Sequence, residues 1–251
     1  MAHTRAVAVI PARLASSRFP GKVLADRTGM PLIRHVYEAA KTARRPELVA
    51  IAVDDGRVQR VVESFGARCV MTSPDHPNGT SRLAEAAAKL GLADDTIVVN
   101  VQGDEPELEG TVIDAVIDAL DGSSAPVATV GSPWNRGDDP ANPNIVKVVT
   151  RADGRAMYFS RARIPYPRDS NVEGNVLPLR HVGIYAYRAG FLRTYTSLTP
   201  SGLERTEMLE QLRILEHGYD IAVAVHVCES VGIDTPEQYE AFVARWNSRR
   251  P

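Results

Sequence analysis

The sequence predicts an α/β protein whose mostly parallel sheet carries an inserted antiparallel hairpin lobe. Short apolar runs alternate with helix-period segments through residues 6–130, the pattern of buried parallel strands joined by right-handed crossovers. After about residue 132 the alternation stops, and two strand-like runs flank Ala152-Asp153-Gly154. An Asp-Gly turn in that setting signals an antiparallel hairpin. At 251 residues the chain is long enough for one domain to bury a core, and it shows no internal repeat, low-complexity tract or clear linker.

Taken in order, residues 6–10 form a continuous apolar strand, and residues 12–30, rich in Arg, Ser, Pro and Gly, read as a loop. Residues 31–43 put Leu32, Ile33, Val36, Tyr37 and Ala40 on one side of a helix. Strands are expected over 48–53, 67–71, 96–101 and 126–130, with helices over 56–65, 80–90 and 111–120. The hairpin occupies 144–150 and 155–160, residues 161–179 read as a mobile polar arm, and 181–187 alternate like a strand. Ser201 and Glu204 fit a capping box opening one helix to about His217, with Met208, Leu209, Leu212 and Leu215 apolar. A strand over 221–227 and a helix over 236–246 complete the chain.

Composition excludes several classes. A formal net charge of -2 gives no basic excess for nucleic acid, and no basic amphipathic stretch suggests a membrane surface. No apolar run reaches the length of a transmembrane helix, and the N-terminal one is too short for a signal peptide. Cys69 and Cys228 form no CxxC pair, so buried thiols in a reducing cytoplasm are expected.

Four segments carry chemistry. PARLASSRFPGK, residues 11–22, follows the first strand, where open α/β sheets bind ligands. Arg13, Arg18, Lys22, the serines and Gly21 offer charge-assisted donors and free backbone N–H groups for phosphate. The loop is neither a Walker A motif nor GxGxxG, and its bland alternative is a solvated basic loop. VNVQGDEP, residues 99–106, ends a buried strand and presents Asp104, a hard oxygen ligand suited to Mg²⁺ or an ordinary turn acid. In VGIDTPEQYE, Asp234 precedes Thr235 and Pro236, so it reads equally as a metal ligand or a helix-start residue. SPDHPNGTSRLAE, residues 73–85, brings Asp75, His76, Gly79 and Arg82 to a helix start, with plain turn roles as the alternative for Asp75 and His76.

These segments, followed by NPNIVKVV, YFSRARIP, RHVGIYAYR, ERTEMLEQLR and GIDTPEQ in colinear order over residues 6–242, resemble the 3-deoxy-manno-octulosonate (Kdo) cytidylyltransferases. Residues 168–177 match none of the family's motifs. The resemblance implies a Rossmann-like nucleotidyltransferase sheet with a CTP-binding half (1–132), a sugar-binding and dimerisation lobe (133–230) and a C-terminal metal loop and helix (231–251). It further implies that Arg13, Ser16 and Lys22 hold the CTP phosphates and that Asp75, His76, Gly79 and Arg82 frame the cytosine and ribose. On the same resemblance Asp104 and Asp234 would bind Mg²⁺, and Lys22, Arg13, Asp104 and Asp234 would form the catalytic set. The resemblance places Gln102, His181, Tyr185, Glu210 and Gln211 as the lining of the sugar pocket, with Tyr158 and Arg161 near it by analogy. CTP and an acidic sugar are the implied partners, in a homodimer with its contact in 144–188 and a role in lipopolysaccharide-type glycan synthesis. A cytidylyltransferase for 8-amino-Kdo or sialic acid, and a non-catalytic nucleotide sensor, are the competing readings.

Overall fold

The computed structural model describes residues 3–16, 18–169 and 178–249. Among the described residues nine strands form one mixed sheet: β1 Ala6–Ala12, β2 Leu48–Val53, β3 Arg68–Met71, β4 Ile97–Asn100, β5 Val127–Ser132, β6 Lys147–Thr150, β7 Ala156–Ser160, β8 Leu179–Arg188 and β9 Ile221–Val225. The helices are α1 Leu32–Ala40, α2 Gly56–Ser64, α3 Gly79–Lys89, α4 Gly110–Asp121, α5 Ala189–Ser197, α6 Gly202–Glu207, α7 Gln211–Glu216 and α8 Pro236–Ser248. The main sheet order is β3-β2-β1-β4-β8-β5-β9, and β6 pairs with β7 and β8.

Side-chain alternation in β1 builds the layers. Ala6, Ala8, Ile10 and Ala12 pack with Ile33 of α1, Val58 of α2 and Ile113 and Ile117 of α4. Val7 and Val9 face the opposite side, with Leu83 of α3, Leu192 of α5 and Leu212 of α7. Both faces of β1 are therefore dry, which explains its continuous apolar reading.

Three elements differ from the sequence expectation. β8 does not stay with the lobe. It enters the main sheet antiparallel between β4 and β5, because its alternate residues Val182, Ile184 and Ala186 bury on one face while Tyr187 buries on the other. α5 was not foreseen: AGFLRTYTS holds Gly190 and two threonines, poor helix formers, and burial of Phe191, Leu192 and Tyr195 overrides that propensity. The single helix expected over 201–217 breaks at Met208, which is left-handed with φ 53°. Arg161 ends it by donating to the carbonyls of Glu207 (2.7 Å) and Met208 (3.3 Å). The Ser201–Glu204 capping box at its start is present. Of the arm expected over 161–179, residues 170–177 lie outside the described residues.

Candidate active site

The functional side chains gather at the carboxyl ends of β1, β2 and β4. Gly21, with φ 70°, turns the loop after β1 into a single 3-10 turn that carries Lys22. Gly103 lets the loop after β4 lie against the end of β1, since a Cβ there would stand 2.5 Å from the Pro11 carbonyl oxygen. Asp104 is thereby brought beside Lys22. α8 packs Tyr239, Phe242 and Val243 against Leu32 and Ile233 and so fixes the segment that presents Asp234.

The Lys22 Nζ donates to Asp104 Oδ2 at 2.7 Å, to the Ile233 carbonyl at 2.9 Å and to Asp234 Oδ1 at 3.3 Å. The Arg18 guanidinium lies 3.0 Å from the same Asp234 oxygen. Asp234 does not cap α8: the Thr235 side chain accepts from Gln238 N and forms the capping box. Next to Asp104, burial first and then the Asp104 charge push the Glu105 carboxyl up to about 7, and its side chain turns to Ser230.

Two cavities adjoin here. The first, of about 300 Å³, is lined by Arg13, Ser16, Arg18, Lys22, His76, Asn78, Gly79, Arg82, Gln102, Asp104 and Asp234. The second, of about 290 Å³, is lined by Thr80, Asn100, His181, Tyr185, Tyr187, Tyr195, Glu210 and Gln211. Gly79 and Gln102 belong to both walls. In the second cavity Gln102 donates to the Gly183 carbonyl at 3.0 Å, and the His181 ring lies 3.0 Å from Thr129 Oγ1. Desolvation drives the His181 imidazole down to about 3, so it is neutral at physiological pH. Desolvation also raises the Glu210 carboxyl, and the Tyr195 hydroxyl stands 3.5 Å from it. Burial keeps Tyr185 and Tyr187 protonated.

Most of the sequence-predicted residues therefore meet, but three do not line either cavity. Asp75 is exposed and closes a turn with Ser73, because a short acid two residues after a serine finds that local partner first. Tyr158 packs its ring against the core on the α5 and α7 side. Arg161 binds Glu207, Met208 and the Pro143 carbonyl and braces the helix break from behind. Arg82 lines the first cavity, yet its NH1 donates to Thr72 Oγ1 (2.7 Å) and its NH2 to Asp54 Oδ2 (2.9 Å).

Sequence reading missed Asp54, which also accepts from the Leu14 backbone N–H at 3.0 Å and so ties the first loop to β2 and α3. Its signal was available: it directly follows β2, and Asp104 likewise stands in the loop after β4. The side chains of Arg82 and Asp54 are 3% and 9% exposed. Removing one partner of so buried a pair strands the other charge, so Arg82→Ala is expected to lower unfolding free energy by about 3–5 kcal/mol. Urea denaturation checks this, and an unchanged midpoint would mean that the pair holds nothing together.

Cations facing a pair of carboxylates, with a polar cavity opening off them at the carboxyl ends of parallel strands, define a class of nucleotide-dependent group-transfer proteins. The comparisons narrow that class. Residues 7–221 match the Cytidylyltransferase family. A 3-deoxy-manno-octulosonate cytidylyltransferase of Aliivibrio fischeri is 51% identical over 237 residues, covering 92% of this chain and 95% of the relative. One of Syntrophobacter fumaroxidans is 48% identical over 240 residues, covering 95% and 96%. A solved structure of CMP:2-keto-3-deoxy-manno-octonic acid synthetase complexed with CTP is 40% identical, with a TM-score of 0.90 over 98% of this chain and 100% of that one. The chain belongs to the cytidylyltransferase family and, within it, to the 3-deoxy-manno-octulosonate cytidylyltransferases.

Proposed function

We propose that this enzyme transfers the cytidylyl group of CTP to the anomeric hydroxyl of Kdo. The sugar oxygen attacks the α-phosphorus, the α–β bridging P–O bond breaks, pyrophosphate leaves, and the hydroxyl proton passes to solvent. One observation carries the reading: the two cavities share Gly79 and Gln102. A triphosphate in the first thus meets an acceptor in the second without crossing protein. Arg13, Ser16 and Lys22 are assigned to the phosphates, with Arg13 and Lys22 offsetting charge on the leaving pyrophosphate. His76, Gly79 and Arg82 form the nucleoside wall, while Gln102, His181, Tyr185, Glu210 and Gln211 form the sugar wall.

Mg²⁺ is the proposed cofactor. The donor set fits it: Asp104 and Asp234 supply hard oxygens, and both reach one cationic nitrogen, Lys22 Nζ, so their carboxylates converge on a single cation position. When bound, Mg²⁺ would neutralise phosphate charge and acidify a coordinated hydroxyl. A cytoplasmic location goes with CTP as donor, and a role in lipopolysaccharide-type glycan synthesis goes with Kdo as acceptor. β8 is enclosed between β4 and β5, whereas Met157 and Tyr166 are 60% and 83% exposed on the lobe, which supports a homodimer contact within residues 144–169 of the 144–188 expected. A monomer mass by light scattering would end that part of the proposal.

Pyrophosphate release from CTP and Mg²⁺ with a panel of acidic sugars tests the function. Kdo should be used far better than N-acetylneuraminate, and comparable rates would remove the octulosonate assignment. In the same assay Glu210→Ala and Gln211→Ala should raise the KM for Kdo by roughly tenfold, the effect of deleting a hydrogen bond to a buried polar ligand group. The KM for CTP should stay nearly fixed, and an unaltered sugar KM in both variants would move the pocket elsewhere.

A further inference from the structure

Asn100 is the last residue of β4, and nothing in the sequence pattern marks it as more than the end of an apolar strand. It is 4% exposed, and its Oδ1 is buried with no hydrogen-bond partner. Native proteins pair nearly all such atoms, so an orphan on a cavity wall calls for a partner that the chain does not supply. The wall is the second cavity. Antiparallel register sets Asn100 opposite Tyr185 on β8, and Tyr185 opposite Thr129 on β5, so the three share one face of the sheet. Two residues back along the same face stand Val98 and Tyr187, within the apolar core. Tyr187 touches both that core and the cavity, so the face turns from apolar to polar along the cavity wall. Gln211 Nε2 is likewise buried without a hydrogen-bond partner in the same lining. The Asn100 amide also stands beside Gly79, on the boundary common to both cavities.

We propose that Asn100 is a specificity-determining residue for the acceptor, its Oδ1 accepting a hydrogen bond from one hydroxyl of the acidic sugar where that cavity meets the nucleotide's. The inference rests on the acceptor reading above and adds a residue to it. Asn100 takes no part in bond making. It fixes the sugar's position and penalises an acceptor that leaves its oxygen unpaired.

The test measures kcat and KM for both substrates in Asn100→Ala and in Asn100→Leu, which keeps the volume should the smaller residue fail to fold. It then repeats the assay on monodeoxy analogues of Kdo. The sugar KM should rise about tenfold with the CTP KM nearly unchanged. One analogue should lose the same factor with the wild type and lose nothing further with the variant. An unchanged sugar KM, equal rises in both KM values, or fully additive losses for every analogue overturn the proposal. If neither variant folds, a wild type indifferent to every deoxy position overturns it as well. Wild-type inactivity with Kdo would instead overturn the acceptor reading and this inference with it, a result that the other outcomes do not resemble.

Discussion

Asp104→Asn and Asp234→Asn should each lower kcat by at least about a hundredfold, the scale of losing one preorganised electrostatic contact at a reacting phosphate. Each substitution keeps shape and removes charge, so what is lost is the ability to hold a cation. The fold should survive. α8 begins on the Thr235–Gln238 capping box and is anchored by Tyr239 and Phe242, none of which involves the Asp234 carboxylate. Steady-state pyrophosphate release together with a thermal melt separates the outcomes. An Asp234→Asn protein that melts early yet turns over near normally would make Asp234 a helix-start residue and nothing more.

Lys22→Ala should produce two effects of opposite sign. Turnover should fall by about a hundredfold with a smaller loss in CTP binding, because charge on the departing pyrophosphate grows toward the transition state. Divalent-cation binding without nucleotide should tighten, by roughly tenfold, because the ammonium that now sits on both carboxylates is gone. Lys22 has a 13% exposed side chain and three oxygen partners, so a cation entering that position must displace it. Displacement frees the ammonium for phosphate. Kinetics read the first effect, and titration of Mn²⁺ followed by its magnetic resonance signal reads the second. Normal kcat with unchanged Mn²⁺ affinity would return residues 12–30 to a solvated basic loop.

Much of the fold was legible because local periodicity and burial agree. β1, β2 and β4 are buried on both faces over most of their length, so their apolar runs read as strands, and the Asp153-Gly154 turn closes the β6–β7 hairpin as expected, with Gly154 at φ 80°. The β8 segment was legible as a strand but not as a central one, since position in a sheet depends on partners far away in sequence. Met208 misled for a related reason. Its helical periodicity is intact, and the break is imposed by Arg161, 47 residues earlier.

The candidate site divides in the same way. The sequence by itself determined the fold class, the family through colinear motifs, and which loops hold chemistry, because strand ends with Arg, Lys, Asp and Gly are local properties. Only the tertiary structure decided which side chains meet. It joined Lys22 to Asp104 and Asp234 across 82 and 212 residues, turned Arg82 toward Asp54, set Asp75 and Arg161 outside both cavities, and left the Asn100 oxygen unpaired among its neighbours. Hydrogen bonds and ion pairs act over a few ångströms, so their partners are chosen by packing and register, which a one-dimensional pattern does not contain.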